Sequence, residues 1–126
     1  MNIPSDLKYT NDHEWIRVEG NIGTIGITEY AQGELGDVVF VDIDPNLSSL
    51  TAGANFGTIE AVKTVSELLA PVSGKVVELN SKLTDSPETI NADPYGEGWM
   101  VKVELSNPSE LDTLLDSESY KTLIGQ

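Results

Sequence analysis

Short stretches in which apolar and polar residues alternate, separated by turn-forming clusters, make up most of the chain. This pattern predicts strands over residues 13–18, 21–27, 37–43, 74–79 and 99–105. In the first of these segments Ile16 and Val18 fall on one face, and we expect only that face to be buried. Residues 37–43 carry apolar side chains on both faces, which predicts a central, covered strand.

Helix signals are few and short. Thr28 is a suitable N-cap for a short helix that Gly33 or Gly36 would end. Near the C-terminus, Asn107-Pro108-Ser109-Glu110 has the order of an N-cap, a proline at the first helical position and a glutamate for a capping box. We therefore expect helices over about residues 108–124, and a loop with one helical turn near Glu88 over residues 80–98. The predicted fold class is mainly β, an antiparallel sandwich or flattened barrel with short helices and a helical C-terminus.

A hairpin over residues 56–74 carries the chemistry of greatest interest. Folded about Lys63-Thr64, its halves mirror each other, with apolar residues opposite apolar residues. The predicted pairs are Val62 with Val65, Ala61 with Ser66, Glu60 with Glu67, Ile59 with Leu68, and Gly57 with Ala70. Two features argue against a purely structural role. Lys63-Thr64 lacks the residues that two-residue turns favour, and Glu60 would face a like charge in Glu67.

Two interpretations of this hairpin are open. In one, the pairing differs slightly and Lys63 is an ordinary solvated lysine. In the other, Lys63 is displayed for a partner enzyme, and the turn serves recognition more than stability.

Charge narrows the classes of partner. The 126 residues, a length typical of one domain spanning residues 1–126, carry a formal net charge of −14. Such a surface repels nucleic acid and anionic membranes and suits basic clefts on partner proteins. Alternatively, the acidic residues only keep the protein soluble and do not bind a partner.

Composition excludes further kinds of site. The absence of cysteine rules out disulfides and thiolate chemistry, and one histidine cannot build a histidine-rich metal site. No apolar run approaches the roughly 20 residues of a membrane span. The first residues lack the features of a signal or transit peptide, so we expect a bacterial cytoplasmic protein, with a mature mitochondrial form as the alternative.

An independent active site is not indicated. His13 and Glu14 are adjacent, but neighbouring strand residues point to opposite faces, so we expect no direct cooperation between them. The sequence shows no nucleophile with a base and an orienting group, and no phosphate-binding loop. We predict a protein that is not an enzyme, and a packed or capping role for His13.

Five blocks of sequence resemble a known family. Gly-Thr-Ile-Glu-Ala-Val-Lys-Thr-Val-Ser-Glu-Leu-Leu-Ala-Pro-Val-Ser-Gly, ending at Gly74, is similar to the lipoylation site of glycine cleavage system H proteins. The other four blocks are residues 9–15, 26–32, 35–41 and 91–99, and all five occur in that family's order. The resemblance extends from about Leu7 to Leu123. The resemblance implies a lipoyl-type barrel-sandwich hybrid of two antiparallel sheets.

The resemblance also implies a function. Lipoate would be attached as an amide to Lys63, and the lipoyl arm would carry the aminomethyl group of glycine from glycine decarboxylase to aminomethyltransferase. Dihydrolipoyl dehydrogenase would then reoxidise the arm. The protein would be a non-catalytic carrier, expected as a monomer, whose further partner is the lipoylating enzyme.

Four other site residues follow from the resemblance. Glu60 and Gly74 match positions that the family uses for recognition by the lipoylating enzyme, and a start-of-strand glycine also has a structural explanation. Glu14 and Glu67 are candidates for sheltering the loaded arm, with solvated carboxylates as the alternative.

Three other functions remain. A biotin-carrying module also presents its modified lysine in a hairpin turn. In such modules the lysine normally lies between methionines, whereas here its neighbours are Val62 and Thr64. An H-like protein that stores or relays lipoate would have the same chemistry at Lys63. A plain interaction domain would keep that lysine unmodified.

Overall fold

Two antiparallel sheets form the body of the protein. The computed structural model describes residues 2–126. Within that range six strands form one sheet in the order β1-β2-β3-β9-β8-β5, and three form the other in the order β4-β6-β7. Their bounds are β1 Lys8–Tyr9, β2 Glu14–Glu19, β3 Ile22–Ile27, β4 Val38–Asp42, β5 Ser49–Leu50, β6 Asn55–Ala61, β7 Val65–Leu69, β8 Gly74–Leu79 and β9 Val101–Leu105. The predicted fold class is confirmed.

The helices are short and lie outside the sheets. Their bounds are α1 Glu29–Leu35, α2 Lys82–Asp85, α3 Thr89–Ala92, a 3₁₀ helix Pro108–Thr113 and α4 Ser117–Leu123. Thr28 caps α1 as expected, since its hydroxyl accepts from Ala31 N at 3.1 Å, and Gly36 ends it with φ +80°. The longest helices of the described chain have seven residues, and none is long and apolar enough to cross a membrane.

Two helix predictions need correction. The segment 80–98 contains two short helices instead of one helical turn. Asn107 makes no side-chain capping bond at the start of the 3₁₀ helix. Glu110 does not complete a capping box either, because its carboxylate accepts from Ser73 N at 2.8 Å and Ser73 Oγ at 3.0 Å. A tertiary contact has replaced the local one.

Both faces of β2 are buried near its start. Ile16 belongs to the core between the sheets, whereas Trp15 is buried among Tyr9 and Tyr120 on the other side. The Trp15 Nε1 donates to Ile27 O at 2.9 Å, so the polar edge of the indole is satisfied. The prediction that only the Ile16 face is buried is therefore wrong, because the N- and C-terminal segments cover the second face.

The strand predicted to be central lies at an edge. Within the described residues 2–126, β4 pairs only with β6, and a bulge interrupts that pairing between Val38 and Phe40. Val39 and Phe40 are 55% and 45% exposed. Apolar residues on both faces did not mean cover on both faces here, because the outer face of the three-stranded sheet is open at these residues.

The β6–β7 hairpin pairs two residues away from the predicted register. Glu60 lies opposite Val65, and Glu67 lies opposite Thr58, so the predicted like-charge pair does not form. The turn runs from Ala61 to Thr64, with Ala61 N donating to Thr64 O at 2.9 Å. The shift places Val62 and Lys63 in the turn, where their N–H groups bond outside the hairpin.

Gly74 has a packing reason of its own. Its φ is not positive, but a Cβ at this position would overlap the carbonyl oxygen of Glu104 on the neighbouring β9. The backbones therefore approach where only glycine fits. This explanation does not involve recognition by an enzyme.

We expect Gly74→Ala to lower the free energy of unfolding by about 1 to 3 kcal/mol, because the methyl group forces β8 and β9 apart. Gly33→Ala is the control, since a Cβ at Gly33 meets open space inside α1 and should stabilise the helix by up to about 1 kcal/mol. Urea unfolding monitored by fluorescence measures both. Equal midpoints for Gly74→Ala and wild type would contradict the packing explanation.

Candidate functional site

The tip of the β6–β7 hairpin is held by backbone bonds to the segment after α1. Val62 N donates to Asp37 O and Lys63 N donates to Leu35 O, each at 3.0 Å. Neither Val62 nor Lys63 adopts the positive φ that tight hairpin turns favour, since His13 is the sole non-glycine residue with positive φ among residues 2–126. The external acceptors satisfy N–H groups that the turn leaves free.

The side chain of Lys63 lies against the last turn of α1. Its Nζ donates to Gly33 O at 3.2 Å. A Cβ added to Gly36 would lie 3.2 Å from Lys63 Cγ and 3.5 Å from Cδ and Cε, so the aliphatic stem passes directly over Gly36. The single exposed bond of the ammonium is a weak restraint, and the amine is accessible to a partner.

A cavity of about 120 Å³ opens beside this tip, between α1, the start of β2 and β7. Its apolar part comes from both sheets and α1. Its polar part is rich in carboxylates and consists of Asp12, His13, Glu14, Glu34, Ser66 and Glu67. An acidic cavity of this size, next to an accessible lysine, suits the cationic end of an extended group.

Glu14 is the most unusual group in the cavity. The residue is 2% exposed, its Oε2 accepts from Leu69 N at 2.9 Å, and its Oε1 is buried with no partner among the described residues. Burial raises the pKa of Glu14 from 4.5 to about 8, and the bond from Leu69 N offsets only part of this effect. A buried acceptor without a donor is costly, so a donor that entered the cavity would be favoured there.

The structure brings only some of the predicted site residues together. Glu14 and Glu67 border the same cavity, but Glu67 is exposed. The register of the hairpin places Glu67 on the outer face, together with the exposed side chain of Glu60. Gly74 lies in the other sheet, between Leu50 and Leu105.

His13 contacts the cavity as well, contrary to the sequence argument. It precedes β2 with φ 64°, so strand alternation does not separate it from Glu14. Its Nδ1 lies 3.0 Å from the hydroxyl of Tyr120, which lies 2.7 Å from Oγ1 of Thr28. Burial lowers the pKa of His13. The predicted packed role agrees with these contacts. The argument that strand alternation separates His13 from Glu14 does not hold, since both residues line the cavity.

Sequence reasoning missed the segment that supports the hairpin tip. Gly36 was expected only as a helix stop, and Leu35 and Asp37 act through their backbone carbonyls, which no side-chain pattern reveals. A larger cavity of about 260 Å³ near Val41 and Met100 has no titratable side chain in its lining. It therefore offers no comparable chemistry.

Comparisons with known proteins agree on one family. The model of the family "Glycine cleavage H-protein" matches residues 7–126. The chain is 60% identical to a glycine cleavage system H protein of Staphylococcus haemolyticus over 126 residues, which is all of both chains. It is 62% identical to one of Symbiobacterium thermophilum over 119 residues, 94% of this chain and 93% of the relative.

A solved structure extends the similarity to the fold. The crystal structure of a glycine cleavage system H protein from Mycobacterium marinum superposes with a TM-score of 0.89 at 40% identity. The match covers 98% of this chain and 100% of that one.

We expect Glu14→Gln to stabilise the protein increasingly between pH 5 and pH 8. Since the pKa of Glu14 is raised, the unfolded chain ionises it first, and the stability of the wild type falls as pH rises from 4.5 to about 8. The neutral amide removes this loss, so the gain should reach about 2 to 4 kcal/mol at pH 8 and shrink toward zero near pH 4.

Urea unfolding at several pH values measures the effect. Glu67→Gln is the control, because this exposed carboxylate lines the same cavity without being buried. A difference between Glu14→Gln and wild type that stays constant from pH 5 to 8 would contradict the raised pKa.

Proposed function

The chain belongs to the glycine cleavage H-protein family, and from this premise we propose that it is the lipoyl carrier of a glycine cleavage system, with lipoate joined to Lys63 by an amide. In this role it is a co-substrate for glycine decarboxylase, aminomethyltransferase and dihydrolipoyl dehydrogenase, and catalyses nothing itself. The relatives named above are bacterial, which supports a bacterial cytoplasmic location, and we treat the carrier as a monomer.

The observation that carries the proposal is an accessible lysine at the tip of the hairpin, together with a cavity along the same hairpin that contains the buried carboxyl of Glu14. The lysine stands at a protruding tip, and Glu14 presents an unpartnered oxygen in the adjoining cavity. A tip suits an arm that must enter several active sites. A cavity with a buried acceptor suits an arm that must also be held between visits.

Attachment requires the neutral amine of Lys63. Its Nζ must lose a proton and the hydrogen bond to Gly33 O, after which the lone pair attacks the carbonyl carbon of an activated lipoyl donor. The bond from that carbon to its leaving group breaks as the amide forms. No electrons change hands, and one positive charge disappears from the hairpin tip.

The lipoyl group, when bound, supplies a disulfide that takes up the aminomethyl group of glycine and returns to the oxidised form after the group has been passed on. The chain's own residues hold the charged end. An ammonium entering the cavity donates to Glu14 Oε1, and this opposite charge favours the ionised carboxylate. Sheltering of the arm by Glu67 stays a prediction, because this residue borders the cavity but lies on the outer face of the hairpin.

We also propose that Glu60 contacts the lipoylating enzyme. Its carboxylate is exposed on the hairpin three residues before Lys63. The extra support expected from a costly Glu60–Glu67 pair is gone, since that pair does not form. Recognition through Gly74 stays a prediction, and the close approach to Glu104 gives this glycine a separate function.

We expect Lys63→Arg to abolish lipoylation, because guanidinium does not form this amide. Intact-mass measurement of the protein from its native source, with peptide mapping around Lys63, should show one lipoyl group on the wild type and none on the variant. Lys75→Arg in the other sheet is the control and should keep the modification.

Three other outcomes would exclude the proposal. A biotin group on Lys63 would assign the chain to the biotin carriers, and an unmodified Lys63 in lipoylating cells would leave only an interaction domain. A lipoylated protein that does not support decarboxylation of glycine would be a lipoate relay instead.

We expect Glu14→Gln to shorten the lifetime of the protein loaded with an aminomethyl group by about tenfold, because a charge-assisted hydrogen bond contributes about 1.5 to 3 kcal/mol. Release of formaldehyde and ammonia over time measures it. Glu19→Gln, at the exposed far end of β2, is the control. Equal lifetimes for Glu14→Gln and Glu19→Gln would show that the cavity does not hold the amine.

A further inference from the structure

A row of exposed side chains crosses the outer face of the three-stranded sheet just below Lys63. Phe40 on β4 lies opposite Glu60 on β6, which lies opposite Val65 on β7. Phe40 is 45% exposed and Val65 is 59% exposed. Val62, in the turn that joins β6 to β7, is 71% exposed. We call Phe40, Glu60, Val62 and Val65 the tip patch.

Exposed apolar side chains are concentrated at this end of the molecule. Of the seven large hydrophobic residues that are exposed among residues 2–126, four lie on β4 or the hairpin: Val39, Phe40, Val62 and Val65. The others, Val18, Val77 and Leu123, are scattered over other elements. Exposed single residues need no explanation, but several of them concentrated around an accessible lysine are typical of an interaction site.

Charge around the patch specifies the partner. Residues 29–69 contain seven carboxylates and a single cationic side chain, that of Lys63. Asp42 and Glu67 flank the next row of the same face, on either side of Thr58. A complementary surface has apolar groups that cover Phe40 and Val65, and basic groups that meet Glu60 between them and the neighbouring carboxylates.

The reacting atom decides which partner docks here. The enzyme that acylates Lys63 must bring its donor carbonyl to about 3 to 3.5 Å from Nζ, so its surface has to meet the residues around the tip. Enzymes that act on the far end of an attached arm react a whole lipoyl chain away from this surface. We propose that the tip patch is the docking surface of the enzyme that acylates Lys63.

This inference rests on the proposed function, and it specifies how the carrier is selected for modification. Acylation removes the one positive charge of the region and leaves seven carboxylates. The apolar residues of the patch lie on the face of the hairpin opposite to Ile59 and Leu68, which line the cavity. Docking on the outer face therefore leaves the cavity free for the arm that is being attached.

The test compares acylation kinetics of Val65→Thr and Phe40→Thr with those of Val77→Thr, using lipoate, ATP and the acylating enzyme. Val77 is a matched control because it is 47% exposed on β8 of the other sheet. We expect each patch variant to raise KM about tenfold with little change in kcat, because binding is lost equally from ground state and transition state. Val77→Thr should behave as the wild type.

Glu60→Gln tests the charged part of the patch separately. Loss of this carboxylate should raise KM and make the rate of acylation less sensitive to salt, because an ion pair with a basic group of the enzyme is gone. Urea midpoints for all variants check that they fold.

Two further outcomes separate the inference from the proposed function. If wild-type Lys63 is not acylated at all, the proposed function fails. If it is acylated and the patch variants match Val77→Thr, only the docking surface is wrong. Chemically lipoylated variants should support glycine decarboxylation within about twofold of wild type; a larger loss there than in acylation would assign the patch to the decarboxylase and overturn the proposal.

Discussion

Two backbone hydrogen bonds hold the tip of the β6–β7 hairpin, which carries Lys63, in place. The N–H groups of Val62 and Lys63 donate to carbonyl oxygens of Asp37 and Leu35, which joins the hairpin tip to the end of α1. The turn lacks the backbone angles that stabilise an isolated hairpin. Its position therefore depends on a partner element, and Gly36 lets the lysine stem lie directly over that partner. The tip is fixed in place while the ammonium remains exposed.

The same junction sets the electrostatics of the cavity. α1 and β7 form two of its walls, so the contact that holds Lys63 also encloses Glu14. Glu14 carries the cost of being buried without a partner for Oε1, and its raised pKa expresses that cost. A cation in the cavity would recover it. In the proposed carrier, the stability that Glu14 costs near neutral pH would thus become selectivity for a charged occupant.

Local patterns in the sequence predicted the elements and the faces, while tertiary contacts decided the rest. The register of the hairpin was predicted two residues away from its true position, yet Ile59 and Leu68 still face inward, because only an odd shift exchanges the faces of a strand. The strand over residues 37–43 was recognised, but its edge position depends on sheet order, which alternation does not encode. The N-cap at Thr28 is a local contact, and its prediction was correct. The capping box predicted for Glu110 was wrong, because Glu110 bonds to Ser73, which is distant in sequence.

The residues of the candidate site likewise fall into those that the sequence revealed and those that only tertiary contacts bring in. The signal for Lys63 and Glu14 lay in the motif, whereas the support from Leu35 and Asp37 is made by carbonyl groups that every residue possesses. Phe40 and Val65 meet only because β4, β6 and β7 are adjacent, so no single segment contains the outer row. In the proposed carrier, the two faces of the hairpin have different roles. The inner face would bind the charged end of the arm, and the outer face would bind the enzyme that installs it. Because alternation separates these faces, a substitution on one face changes its function without reaching the other.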